Sequence, residues 1–437
     1  MPYKAGDRLP AEHASRLGHL DVLKSELVKK LCASFEDSGP PTIPPQSFWE
    51  AIPSIGQPLP LVFGVDGSMQ VIESESPPYK ALVFIKTSLL RVDQVALSLI
   101  DEESPHPFAL RDILANSALY HATVLPLRHV SIPGMSLYDA VRQIIYESVK
   151  DASLNGEPLE TLKWIAYEKW DGKKKSLPPF KCPHCEGKDA ATLPYDYDEG
   201  NCPTCNGKLF LTDMLGFHQE MAPDSAPDIV ATAYMSIHET LLLFTGIRYF
   251  WNKNKELLKN CLFVKDGPLS IRAQYSKLVN PIRRFLAFSR DHGYPVHLIG
   301  QEKTGAFADH LQLIGKNAPA QSLFIPNNKY IKEYIQHRPD RGDPYGKYTN
   351  YGAKVFVRIS DYHQTVLNVP TGEYVEDPTL RNLIGAERIF STIPKILSSR
   401  FEGGLLPVEL AHGVASLSTY PSAQILKIFS EAKTINP

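Results

Sequence analysis

An α/β fold is predicted by three features of the sequence. Leu61-Val62-Phe63-Gly64-Val65 is an apolar run of strand length that leads into Asp66-Gly67-Ser68, the pattern of a strand covered on both faces. Two hundred residues later Cys261-Leu262-Phe263-Val264-Lys265-Asp266-Gly267 repeats the arrangement. A helix at Ile271–Asp291 and a short strand at Val296–Gly300 then follow, the rhythm of right-handed parallel crossovers. Gly67 is expected to make a tight turn that leaves the Asp66 carboxylate at its strand's end.

The bulk composition narrows the class. A chain of 437 residues suffices for one large core with insertions or for two to three domains. With 43% hydrophobic and 22% charged residues it has the balance of an ordinary globular protein. A formal charge of −2 provides no global positive field, so any binding to DNA needs local positive potential or metal ions. Met1 to His13 lacks the apolar centre of a signal peptide, and the run at Leu241–Phe244 is cut short by Thr245, Gly246 and Arg248. A cytoplasmic protein with reduced thiols and no membrane attachment is expected.

Taken in order, the chain divides into 1–54, 55–161, 162–224 and 225–437. Leu17, Leu20, Leu23, Leu27 and Leu31 lie at helical spacing and predict one amphipathic helix over Ser15–Phe35, suited to a core or to a partner. Glu36–Gln46 is proline-rich and reads as a linker. Met69–Ser74 and Tyr79–Thr87 predict two antiparallel strands around Ser76-Pro77-Pro78. A helix is expected at Ser136–Val149, within a stretch from Leu89 that is otherwise unassigned. Leu162–Gly216, with its lysines, prolines and four cysteines, reads as an insertion. Ser225-Ala226-Pro227-Asp228 is a helix start, and Ile229 to about Asn260 predicts a long, mostly buried helix. Tyr334–Tyr351 reads as a polar loop. Lys354–Ser360 with Gln364–Val369 predicts a strand pair, and Pro407–Leu417 a closing helix.

The chemistry lies in scattered acids. If the strands at Leu61 and Cys261 are parallel neighbours, Asp66 and Asp266 reach the same edge of the sheet, where open α/β sheets place their sites. Two such carboxylates repel each other unless a cation lies between them, and oxygen ligands suit Mg²⁺ or Mn²⁺ better than zinc. Glu239 interrupts an apolar helix, so it either faces water or meets a charge. His412 is a weaker candidate, and His238 and His297 are read as structural. Taken singly each signal has a plain reading, since Asp-Gly is among the commonest turn dipeptides.

Cys182-Pro183-His184-Cys185 and Cys202-Pro203-Thr204-Cys205 are one knuckle written twice, with sixteen residues between the pairs. In reduced surroundings Cys182, Cys185, Cys202 and Cys205 predict a four-thiolate zinc site, with a redox pair or disulfides as the alternative. Four thiolates leave no open position, so such a metal is structural. Cys32 and Cys261 sit in apolar contexts and are assigned to packing.

Five segments in order resemble the motifs of NurA nucleases: Asp66-Gly67-Ser68 after its strand, Glu239 in the long helix, Leu262 to Leu269, Ile299-Gly300-Gln301-Glu302-Lys303-Thr304, and Leu406-Pro407-Val408-Glu409-Leu410-Ala411-His412. The resemblance covers roughly 55–90 and 225–420, and excludes the cysteine knuckles; Gln301-Glu302 departs from the smaller residues usual there. It implies an RNase H-like core, a five-stranded mixed sheet whose first and fourth strands are parallel neighbours, with a zinc-ribbon insertion and an N-terminal helix added. It further implies a manganese- or magnesium-dependent DNase acting on ends and single strands. Asp66, Glu239, Asp266 and His412 would be its metal ligands and catalytic groups, and Lys303 a phosphate contact. Such enzymes work as homodimers on a HerA-type hexameric translocase, in DNA-end processing or defence against phage. The competing expectations are a catalytically inert zinc-ribbon adaptor that docks a translocase or holds DNA, and an actin-like or RNase H-like phosphotransferase. The phosphotransferase lacks a second glycine-rich phosphate loop.

Overall fold

The computed structural model describes residues 18–35, 48–53, 56–75, 77–93, 118–185, 191–222, 228–271, 277–339, 341–398, 403–417 and 421–435. It divides into two units, 1–43 and 44–437. The first holds two helices in place of the single one expected, α1 (Gly18–Lys24) and α2 (Glu26–Ser34). Ser25 separates them because its extended backbone and side-chain oxygen, accepting from the Val28 N–H, cap a new helix start. Leu23, Leu27 and Leu31 are exposed, and so is Cys32, which therefore has no packing role. The proline-rich segment and the Ser225–Pro227 helix start lie outside the described residues.

The second unit is built on strands β1 (Glu50–Ala51), β2 (Leu61–Glu73), β3 (Ala81–Asp93), β4 (Ala118–Arg128), β5 (Glu199–Asn201), β6 (Lys208–Phe210), β7 (Cys261–Asp266), β8 (His297–Glu302), β9 (Ser322–Phe324), β10 (Ala353–Arg358) and β11 (Gln364–Val369). Nine of them form one mixed sheet in the order β1-β9-β10-β11-β8-β7-β2-β3-β4, while β5 and β6 form a separate hairpin. The expected five-stranded sheet is thus too small. Its parallel element is present: β7 lies between β2 and β8 and runs parallel to both. The additional strands arise because the β10–β11 hairpin pairs antiparallel with β8 and covers what would be an open edge.

β2 departs from its expected shape. It does not turn at Gly67 but runs straight through to Glu73, so that Met69–Glu73 belongs to the same strand. Pairing with β3 is continuous from Leu61↔Asp93 to Glu73↔Ala81, and the chain reverses only beyond it, where the Ser74 N–H bonds the Lys80 carbonyl. Local Asp-Gly turn preference yields to thirteen residues of ladder. Gly267, by contrast, has φ +82 and does turn the chain after β7.

Among the described residues, eight longer helices flank the sheet: α3 (Leu137–Val149), α4 (Glu157–Ala166), α5 (Asp228–Lys253), α6 (Val279–Asp291), α7 (Ala306–Ile314), α8 (Ala386–Thr392), α9 (Leu406–Ala415) and α10 (Ser422–Ile435). Side chains alternate across β2. Phe63 and Val65 join one core with α3 to α6, whereas Val62 joins another with α8 and α9. α5 stops at Lys253, short of Asn260, because Asn254 caps a further helical turn. Among the described helices, α5 is the one long and apolar enough to cross a membrane by length and composition, yet 67% of its most apolar window is buried within the protein. The 162–224 segment is not a surface appendage. Trp164, Tyr167, Trp170, Phe180 and Leu209 belong to the first core, and Trp164 packs edge-on to Phe285 at 4.6 Å.

Candidate metal centre and carboxylate site

Register places the two strand aspartates side by side. Val65 pairs with Lys265 in the parallel β2–β7 ladder, so the next residues on each strand are Asp66 and Asp266. A glycine on each face of β2 lets a helix approach the backbone. A Cβ on Gly64 would lie 2.2 Å from the Pro407 carbonyl oxygen, where α9 crosses the strand. That crossing brings His412 Nδ1 to 2.8 Å from Asp66 Oδ2. On the other face, a Cβ on Gly67 would lie 2.6 Å from Glu239 Oε1 and 2.7 Å from Met235 Cγ of α5. Gly67 is therefore required for close approach and not for a turn. Gly67→Ala is expected to push Glu239 off its position and lower stability by about 1–3 kcal/mol. A thermal melt and a divalent-metal titration of the variant would check this; wild-type values in both would refute it.

Burial and charge define the electrostatics. Asp66 is 3% exposed. Burial, then the charges of Asp266 and Glu239, push its carboxyl from 3.8 up to about 8, against the Gly67 N–H bond and Lys303. Burial likewise raises Glu239, against the pull of Lys265. Lys265 Nζ lies 2.7 Å from Glu239 Oε2 and donates to the Asp266 carbonyl at 3.0 Å. Lys303 Nζ lies 3.0 Å from Asp266 Oδ1. All four predicted residues and Lys303 thus gather at one place, but their ligand atoms do not all come within 4.8 Å of one another. Two lysine ammonium groups sit on two of the three acids, occupying the electrostatic role of a cation. Three carboxylates and one imidazole are oxygen-rich donors of the kind a hard divalent ion takes.

Lys265 escaped the sequence reading. Its signal was a lysine within an otherwise apolar strand, which is rarely buried without a partner. Glu239 meets a charge rather than water. His238 is structural as expected, its Nδ1 2.8 Å from Thr87 Oγ1 and its ring stacked on His121. His297 is buried beside Gly385, and Cys261 is buried in the first core.

The raised Asp66 value implies a pH dependence. Between 3.8 and about 8 the native state holds a proton that the unfolded chain has released. Native stability of the metal-free protein therefore falls as pH rises through that window, at up to about 1.4 kcal/mol per pH unit. Mn²⁺ or Mg²⁺ should reverse this trend, raising the melting temperature more at pH 8 than at pH 5. Melts across pH with and without the ion would show it; equal ion effects at both pH values would contradict it.

The second cluster is sulfur. The Sγ atoms of Cys182, Cys185, Cys202 and Cys205 all lie within 4.8 Å of one another. Cys182 and Cys205 are 3.8 Å apart, and Cys185 and Cys202 4.0 Å. A tetrahedral ion with metal–sulfur bonds of about 2.3 Å requires sulfur separations of about 3.8 Å. The four cysteines can hold one metal ion. Burial pushes the Cys182 thiol up to about 12. For Cys202 burial acts upward too, but the Cys205 and Thr204 N–H groups outweigh it and bring the thiol to about 6. Arg142 of α3, unremarked in the sequence, fastens the knuckles to the body. Its Nε and Nη2 donate to Asp213 at 2.9 Å, and Nη2 also donates to the Lys208 carbonyl at 3.0 Å.

No protein-family model matches this chain, and no curated protein does.

Proposed function

We propose that the chain is a Mn²⁺- or Mg²⁺-dependent DNA nuclease of the NurA type on an RNase H-like core. The observation that carries this reading is the parallel β2–β7 pairing, which sets Asp66 and Asp266 in adjacent register where Glu239 and His412 also converge. The strand order β4-β3-β2-β7-β8 within the larger sheet supports the RNase H-like assignment, since the first and fourth strands of that set are parallel neighbours.

Asp66, Asp266 and Glu239 would hold the ion, with His412 as a further ligand or a proton carrier. When bound, the ion lowers the pKa of a water and offsets charge on the phosphoryl oxygens. His412, whose side chain is 56% exposed, keeps Nδ1 on Asp66 and is placed to exchange a proton at Nε2. Lys303 lies near enough to the acids to neutralise a phosphate. Zinc in the cysteine knuckles belongs to the same proposal, as do a homodimer, a cytoplasmic location and a HerA-type translocase partner; motif resemblance supports the last three.

Purified protein incubated with labelled DNA and Mn²⁺ should cut it, and a chelator should stop the cutting. The lysines on Glu239 and Asp266 are the one feature favouring an inert zinc-ribbon adaptor. Retained DNA or translocase binding with no cleavage under any divalent ion would establish that reading instead.

A further inference from the structure

Beyond the end of β8, a cleft of about 690 Å³ opens between α7 and β11. Lys303 stands at its mouth, lining the cleft while its Nζ touches Asp266, so the cleft begins at the carboxylate site. Lys316 and Gln312 are exposed along one wall, and Leu311 and Val366 provide an apolar floor. Three acids also line it: Glu302 is engaged by Lys354 and Asn368 and Asp361 by Arg358, while Asp309 is exposed on the same helix as Gln312. Lys316 forms no ion pair with any described residue, which leaves its charge available to a ligand. In the wall, Arg358 Nε and Gln364 Oε1 are buried without hydrogen-bond partners.

We infer that this cleft binds the backbone of a single DNA strand beside the carboxylate site, with Lys316 as the principal phosphate contact. The inference rests on the nuclease reading. A cavity of about 690 Å³ takes a ligand of drug size and is too small to enclose a duplex. An apolar floor beside the exposed ammonium of Lys316 suits a strand with a stacked base and a charged backbone. An ion that claimed Asp266 would also release Lys303 toward the cleft.

The test uses the full chain and a fluorescent single-stranded twelve-mer, with Ca²⁺ in place of Mn²⁺ and binding read by anisotropy. Lys316→Glu is expected to weaken binding about tenfold and Lys316→Ala about threefold. The slope of log K against log salt should become shallower by about 0.7, the share of one neutralised phosphate on a single strand. Gln312→Glu should also weaken binding, and Lys329→Glu, the same charge change outside the cleft, should have no effect. Both wall residues are exposed, so melting temperatures should not move. Wild-type affinity and salt slope in Lys316→Glu would overturn the inference while leaving the nuclease reading intact. Equal losses on duplex and single strand would overturn the choice of ligand. A wild-type protein that binds no strand at all would sink both readings.

Discussion

Asp66→Asn is expected to reduce Mn²⁺-dependent DNA cleavage by at least about 10³-fold, a loss of about 4 kcal/mol in transition-state stabilisation. Asparagine has nearly the same shape and keeps one oxygen to accept the Gly67 N–H while its amide group faces His412, so the fold should survive. It removes the one charge that stands next to Asp266 in register and opposite Glu239. Metal-free Asp66→Asn should also be more stable than wild type at pH 8, because the native protein no longer has to hold a carboxylate that burial and then its acidic neighbours push up to about 8. The knuckle ligands are sulfurs, so zinc content should be unchanged. Asp266→Asn should behave alike in cleavage. Wild-type rates in either variant would remove the carboxylates from the chemistry and the nuclease proposal with them.

How far the sequence could be read depended on the range of the interaction. β7 and its acid were legible because a short apolar run bounded by a turn is a local signal. The same rule failed at Gly67, whose Asp-Gly pair argues for a turn only until the full β3 ladder and the approach of Glu239 are known. Both facts come from residues distant in the chain. Likewise the role of Lys265 rests on its pairing with Glu239, a residue of another element. Of the four strands beyond the expected five, β10 and β11 are legible as a pair, whereas the two residues of β1 and the three of β9 are too few for any periodic signal. The knuckles are legible because their spacing is local, and the four sulfurs they bring together could hold one metal ion. Their depth is not, because Trp164, Tyr167 and Trp170 stand among lysines and prolines that suggest a surface segment.

That depth sets the expectation for the metal. Cys182 and Cys202 are 3% and 2% exposed, and both belong to the core shared by α5, β2 and β7. Cys182→Ser should therefore lose one equivalent of zinc per chain and also destabilise the surrounding core itself, lowering the melting temperature by at least about 10 °C. Apparent binding energies of structural zinc sites in isolated fingers reach about 10–16 kcal/mol, and a deeply packed site transmits a large part of such a loss to its surroundings. A thiol-competent chelator should do the same to wild type. Arg142→Ala provides the complementary arm: it leaves the four sulfurs in place but abandons Asp213, a buried carboxylate, at a loss of about 3–5 kcal/mol. Zinc should remain stoichiometric there while the melt falls. Measured together, zinc content and melting temperature separate a stabilising element of the core from a detachable clip. If Cys182→Ser loses its zinc yet melts like wild type, the knuckles do not hold the core together, however well their sulfurs fit the ion.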